Sequence, residues 1–383
     1  MKKLSGLGIF LLAALFLCLV VPIYATGGQE ATKTSGGGDW VPFKDKAEFK
    51  AYVVLPELTK PQLGDIPDEM NVPAVNRVAP KILRIGVIGG ATNPFWDIIK
   101  MGVDAAADEL LTHNCKVDWI VPGSTLSSTD SGAIIDTMLV KHYDAITLMI
   151  YNEGLIPYID KAVAQNVPVA GYCIDTQPNK ALFLIGQDLY ASGSKCADIM
   201  AQLINGKGKV AVITGQFNVT AHELRRKGFV DRVKAAYPEI TIVGQTEAKD
   251  QAELTRSQTI DYMTANPDLA GVYCTAGGPI GAGQAIKEAG KAGKIKVVAY
   301  DPLPQTLEFI KDGSIQAVIG QNPYAQGRDT VIRMFNYLME GQLPKARFLY
   351  TRADVVTEDK ALLANKKLGA ITIEQFYTTK QKG

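Results

Sequence analysis

The stretch Arg84-Ile-Gly-Val-Ile-Gly-Gly-Ala-Thr-Asn-Pro-Phe-Trp96 decides how the rest of the chain is read. It begins as a continuous apolar run without the polar alternation of a half-exposed strand, the mark of a strand covered on both faces. It breaks at paired glycines and resumes at Asn93-Pro94 as an amphipathic pattern, with proline suited to a first helical turn. A buried strand feeding directly into a helix opens a βα unit. Its turn carries an amide, Asn93, and two aromatic rings, Phe95 and Trp96.

Outward from this unit the same rhythm continues. Apolar runs at 82–88, 116–121, 145–150, 167–172, 182–185, 209–214, 241–243, 271–274, 296–300 and 317–320 read as strands. Helical patterns at 94–111, 155–165, 191–204, 223–236, 254–265, 281–291 and 325–339 separate many of them. Helices between buried strands impose parallel pairing with right-handed crossovers, so the predicted class is α/β with two doubly wound sheets. A length of 383 residues suits two domains, and a hydrophobic fraction of 47 % suffices for full cores. No short repeat of the solenoid kind is present.

The N-terminus reads Met1-Lys-Lys, an apolar run from Leu7 to Val21, then Pro22-Ile-Tyr-Ala25. This is a signal-peptide pattern over residues 1–25, with the cut expected after Ala25. Two alternatives stay open: an uncleaved anchor, since the run from Leu4 approaches spanning length, and lipidation at Cys18, whose flanking residues fit poorly. Each places the protein in the periplasm or otherwise outside the cytoplasm, with or without a membrane tether at its N-terminus. Residues 26–38 are small and polar, as in a flexible tether, and 39–80 are proline-rich and irregular, so 26–80 reads as tether and extension.

The formal charge is +1, from 40 Lys+Arg against 39 Asp+Glu, and losing Lys2 and Lys3 with the leader moves it to −1. That balance gives no electrostatic reason to expect nucleic acid. Beyond the leader, Cys115, Cys173, Cys196 and Cys274 are widely spaced and lack metal-ligand spacing. An exported chain permits disulfides, but small buried side chains in apolar elements are the simpler reading.

In open parallel sheets the ligand crevice lies beyond the carboxyl ends of the strands. The residues there are Asn93, Phe95 and Trp96 after the first strand, Asn152 after Ile150, Asp175 after Tyr172, Asp301 after Tyr300 and Gln321 after Gly320. Arg225 opens the helix that follows the strand ending at Thr214. Such carboxylates, amides and a guanidinium bind hydroxyls as donors and acceptors, and rings stack on the apolar face of a sugar. Each has a plainer reading: Asp301-Pro302 and Asn93-Pro94 as helix caps, Trp96 as core, and Arg225 as solvated charge beside Arg226 and Lys227.

Enzyme signatures are weak. His113, His142 and His222 fall in unrelated places, and no nucleophile elbow or phosphate loop is present. Gly277-Gly-Pro-Ile-Gly-Ala-Gly283 lacks the full dinucleotide pattern and belongs to a late βα unit. The reading is a non-enzymatic protein with no cofactor and no metal.

The segments Thr92-Asn-Pro-Phe-Trp96, Val167-Pro-Val169, Arg225-Arg-Lys-Gly-Phe229, Val297-Val-Ala-Tyr-Asp301 and Ala317-Val-Ile-Gly-Gln321, in this order and spacing, resemble the ribose-binding-protein branch of the type I periplasmic binding proteins. The likeness runs from about Ile82 to about Leu349. It implies two Rossmann-like lobes joined by a three-crossing hinge, at 81–186 plus 322–348 and 187–321 plus 349–376, with the ligand in the interlobe cleft. It implies sugar contacts at Asn93, Phe95, Trp96, Arg225, Asp301 and Gln321, and a carrier that delivers to an ABC permease; a monomer is expected. A chemoreceptor or sensor kinase as receiver, including presentation of an autoinducer-2-like signal, is the alternative.

Two departures set the chain apart from the family's pentose and hexose binders. Gly171-Tyr-Cys-Ile-Asp-Thr176 displaces the family's Asp and lacks its Arg, and Ala276-Gly277 stands where the family has Asn-Asp. The Cys173-Ile-Asp-Thr-Gln-Pro178 stretch looks more like relatives that bind autoinducer-2 or rhamnose, and the ligand's identity stays open. A DNA-binding repressor on the same core would need a helix-turn-helix where the leader and tether stand.

Overall fold

The computed structural model describes residues 71–91, 94–123, 126–174 and 176–380, except the side chains of 378–380. Asn93, Asp175, the leader, Cys18 and the tether therefore lie outside the described residues. No helix among the described residues is long and apolar enough to cross a membrane.

The first half alternates as β1 (Leu83–Ile88), α1 (Pro94–Leu111), β2 (Cys115–Ile120), α2 (Ser128–Val140), β3 (Ala145–Leu148), α3 (Ile156–Ala164), β4 (Val169–Cys173) and β5 (Leu184–Gly186). The chain then builds a second unit: α4 (Leu189–Leu203), β6 (Gly208–Thr214), α5 (Thr220–Ala236), β7 (Ile240–Glu247), α6 (Ala252–Ala265), β8 (Leu269–Cys274), α7 (Pro279–Glu288), β9 (Lys296–Tyr300), α8 (Pro304–Lys311) and β10 (Ala317–Ile319). It returns as α9 (Pro323–Glu340) and β11 (Phe348–Tyr350), and ends as β12 (Val355–Thr357), α10 (Lys360–Ala364), β13 (Ala370–Ile371) and α11 (Ile373–Lys380).

Two sheets result, in the orders β11-β5-β4-β3-β1-β2 and β13-β12-β10-β9-β8-β6-β7. The chain passes between them three times: after Gly186, after Ile319 and after Tyr350. Strands such as β3 and β4 are buried along their whole length, as their unbroken apolar runs require. One pair corrects the expectation of wholly parallel sheets: β12 runs antiparallel to β10. The cause is the crossing itself. β10 runs toward it and β12 starts from it, with the Gly320 N–H donating to the Asp354 carbonyl at 2.8 Å.

Glycines set the closest helix contacts, by the same device in both units. A Cβ at Gly102 of α1 would stand 2.1 Å from the Tyr324 carbonyl of α9, and one at Gly193 of α4 would stand 2.1 Å from the Arg225 carbonyl of α5. Any larger residue would force these pairs apart. At Gly193 the contact also fixes the main chain that carries Arg225.

Residues 71–80 form an irregular strap across α1 and α9. The Asn71 N–H donates to Asp329 Oδ2 at 2.6 Å, the Val75 N–H to Asn336 Oδ1 at 2.9 Å, and Asn336 Nδ2 to the Pro73 carbonyl at 3.0 Å. Arg328 ties Glu109 of α1 to the Val72 carbonyl. The strap thus gives the fully buried Asp329 carboxylate a backbone donor. The four cysteines after the leader are free and buried, and burial pushes each thiol up to about 12.

Candidate functional site

Arg225 sits in the second turn of α5, which begins three residues before its predicted start, and its guanidinium is buried. It points at the carboxyl ends of the second sheet's strands and at the crossings. Nη1 donates to the Thr275 carbonyl just past β8 at 3.1 Å. Nη2 donates to Gln321 Oε1 at 3.0 Å and to Gln187 Oε1 at 3.1 Å. The guanidinium carbon lies 3.8 Å from the centre of the Tyr300 ring, a cation–π contact. Among the described residues no carboxylate pairs with it directly. Neutral acceptors and a π face offset the cost of burying its charge.

Gln321 extends the network. Its Nε2 donates to Asp301 Oδ1 at 2.8 Å, so a single amide links the guanidinium to the carboxylate. Asp301 adopts a left-handed backbone, φ 66°, which Asp tolerates better than most residues. It does not cap α8, whose N-cap position is Leu303. Cys173, at the end of β4, is near enough that Arg225 and Asp301 both act on its thiol, although burial dominates and raises it. The first sheet's β4 and the second sheet's polar network therefore approach one another.

Tyr300 is fixed from below. Its hydroxyl lies 2.7 Å from Ser192 Oγ, 3.5 Å from Cys196 Sγ and 3.4 Å from the Tyr273 hydroxyl. Tyr273 donates on to the Arg225 carbonyl at 3.3 Å. Both ends of Arg225, main chain and guanidinium, are thereby held.

The first sheet's aromatic pair is arranged differently. Trp96 is buried, edge-on to Phe95 at 5.4 Å and to Tyr172 at 6.4 Å. Its indole closes over Gly90, where a Cβ would come within 2.1 Å. Phe95 is half-buried against the same core. The indole thus packs as core, whatever else it touches.

Asn152 caps the short 3₁₀ turn Glu153–Leu155. Its Oδ1 accepts from the Gly154 N–H and from Ser128 Oγ, each at 2.9 Å. It lines a cavity of about 530 Å³ with Thr176, Phe217, Thr220 and Glu223, residues drawn from both units. Beside that cavity the units touch directly. The Thr220 N–H donates to the Tyr151 carbonyl at 3.1 Å, and the Thr176 and Thr220 hydroxyls lie 2.6 Å apart. Thr176 also donates to the Ile150 carbonyl at 2.7 Å, so the proton between the hydroxyls comes from Thr220.

Of the residues named from sequence, Arg225, Asp301 and Gln321 thus form one hydrogen-bonded network. Asn152 belongs to the neighbouring groove. Gln187, 2 % exposed, is the member that sequence reasoning missed. A signal for it exists: Leu184-Ile-Gly-Gln187 and Val318-Ile-Gly-Gln321 end a strand of each sheet with the same Ile-Gly-Gln.

A family model described as periplasmic binding protein domain matches residues 85–342. The D-allose-binding periplasmic protein of Escherichia coli K12 is 26 % identical over 258 residues, 62 % of this chain and 78 % of that one. The xylitol-binding protein of Mycolicibacterium smegmatis is 25 % identical over 306 residues, 78 % of this chain and 82 % of that one. An ABC transporter solute-binding protein from Burkholderia graminis C4D1M, solved with D-arabinose, superposes with a TM-score of 0.68 at 26 % identity, covering 74 % of this chain and 98 % of that one. Two α/β lobes, three crossings and a buried polar network at strand ends accord with these matches, and the chain belongs to the periplasmic binding protein domain family, in its sugar-binding, ribose-binding-protein branch.

Proposed function

We propose that this chain is an extracytoplasmic solute-binding protein that closes on a monosaccharide or related polyol and delivers it to an ABC importer. The observation that carries this reading is the Arg225–Gln321–Asp301 network, which offers donors and an acceptor at the crossings, where hinge closure changes the cleft. Hydroxyls are both donors and acceptors, so a polyhydroxylated guest suits such a mixed set. The relatives' names specify D-allose, xylitol and D-arabinose, which share this chemistry. Those names belong to importers and binders of sugars, which favours delivery to a permease over the sensory alternative.

The closing lobes in this reading are 81–186 plus 322–348 and 187–321 plus 349–376. Phe95 and Trp96 give an apolar wall, Asn93, Arg225 and Gln321 donate, Asp175 and Asp301 accept, and Asn152 stands at the rim. The protein works as an exported monomer and as a carrier rather than an enzyme. Titration calorimetry against D-allose, D-ribose, D-xylose, D-arabinose and xylitol tests it, with wild type, Arg225→Ala and Asp301→Ala. Micromolar or tighter binding of at least one is expected, weakened about tenfold to a hundredfold but still measurable in each variant. Binding of none, or equal affinity in all three proteins, refutes the reading.

A further inference from the structure

We infer that Gln187 is a positioning residue that holds the Arg225 guanidinium against the crossing strands in the orientation that meets the guest. The inference rests on the reading of Arg225 as a ligand-contacting residue and deepens it.

Gln187 opens the first crossing, and Gln321 stands at the matching place in the second. Both follow an Ile-Gly pair at the end of a short strand, and both present Oε1 to the same nitrogen, Arg225 Nη2, at 3.1 and 3.0 Å. Their second groups diverge. Gln321 Nε2 faces Asp301, whereas Gln187 Nε2 donates to the Gly320 carbonyl at 3.2 Å, the main chain of the second crossing. The third crossing joins in through the Thr351 hydroxyl, which lies 2.8 Å from the Gln321 carbonyl and 3.2 Å from the Gly186 carbonyl. Gln187 is therefore the residue whose one amide grips both the guanidinium and a neighbouring crossing.

Without Gln187 the guanidinium keeps Gln321, Thr275 and the Tyr300 face but loses one of the two acceptors of Nη2, which leaves the planar fork freer to turn about the Cδ–Nε bond. A long, flexible cation held on one side samples orientations that miss the guest. Preorganisation of this kind acts on affinity through the entropy of ordering the side chain on binding.

A double-mutant cycle tests it. Gln187→Met matches length and removes both amide bonds, while Gln187→Glu keeps an acceptor for Arg225 and gives up only the donor to Gly320. Calorimetry measures each, alone and in an Arg225→Ala background, against D-allose, D-ribose, D-xylose, D-arabinose and xylitol. The expected result is about a tenfold affinity loss in Gln187→Met, the scale of one hydrogen bond to a charged group. Recovery to within about threefold is expected in Gln187→Glu, and no further loss from Gln187→Met once Arg225 is alanine. A full loss from Gln187→Met in the Arg225→Ala background overturns the inference, as does unchanged affinity in Gln187→Met alone. Unchanged affinity in Arg225→Ala alone instead refutes the reading of Arg225 on which it rests. Should Gln187→Met fail to fold, Gln187→Ala enters the same cycle with the same outcomes.

Discussion

Replacing Gln321 by leucine probes the link between the buried cation and the carboxylate. The side chain makes two hydrogen bonds to charged groups, from Arg225 Nη2 at 3.0 Å and to Asp301 Oδ1 at 2.8 Å. The backbone carbonyl's bonds to Gln326 and Thr351 survive the change. Hydrogen bonds to charged groups contribute about 1.5–3 kcal/mol each, so the two together set a ceiling of about 6 kcal/mol. Arg225 retains Gln187 as an acceptor, and the partly exposed Asp301 regains water, so the expected loss is about 3 kcal/mol. For a protein of this size that corresponds to a fall in Tm of roughly 4–5 °C by scanning calorimetry of the sugar-free protein. Gln321→Glu keeps the acceptor for Arg225 while opposing Asp301, and is expected to lie between wild type and leucine. A loss below about 1 kcal/mol in Gln321→Leu would refute the reasoning, because it would mean that neither charge depends on the amide.

Gly193→Ala places a methyl 2.1 Å from the Arg225 carbonyl and is expected to lower both Tm and sugar affinity, while Gly123→Ala, which meets nothing within 4 Å, changes neither; equal behaviour of the two sinks the argument. Burial holds His222 below the ordinary imidazole range, and Asp250, 4.0 Å away, opposes that only in part. Its Nδ1 accepts from the Gln216 N–H at 2.9 Å, so the neutral ring carries its proton on Nε2. The folded state resists protonation more than the unfolded chain, so this contribution is present above about pH 6.5 and lost as pH falls toward the depressed folded value. His222→Gln is expected to flatten the stability curve just below about pH 6.5, and an unchanged slope in urea titrations counts against it. Removing residues 71–80 strips donors from the buried Asp329 and from Asn336, at about 1–3 kcal/mol each, so a chain beginning at residue 81 should melt well below one beginning at 71. Equal melting temperatures would show that the strap contributes nothing.

The fold was legible where hydrophobic patterning is long. The helix predicted over 94–111 matches α1 to the residue, because Pro94 fixes its start and the buried stripe through Leu110 runs to its end. β7 is longer than its apolar run of 241–243, since it continues through Gln245, Thr246 and Glu247 at the sheet edge, where one flank needs no apolar cover. β11, β12 and β13 are two or three residues long, too short to display a period, and only the return of the chain across the crossings places them. In the site, strand-end logic located Arg225, Asp301 and Gln321. The plainer reading of Trp96 as core is the one its packing over Gly90 fits, whereas nothing in the pattern indicated that Asn152 would spend its oxygen on a cap.

Gln187 also ties the site to the hinge. Like Gln321 it lies on chain that leaves one sheet for the other, but both ends of its amide are spent sideways, on Arg225 and on the Gly320 carbonyl of a neighbouring crossing, contacts that no strand-end rule anticipates. Crossing segments buried between two units must satisfy their polar groups with whatever the crossing brings close, or bear the cost of unpaired amides. Here those groups are Gln187, Gln321, Thr351 and the guanidinium of Arg225. The polar network of the hinge and that of the candidate site are consequently one set of bonds. Substitutions at the crossings should move affinity and stability together. At Gly102, where α1 meets α9 within the first unit, stability should move with little effect on affinity. That contrast, measured across the two groups of positions, separates a hinge wired to its guest from one that merely connects two lobes.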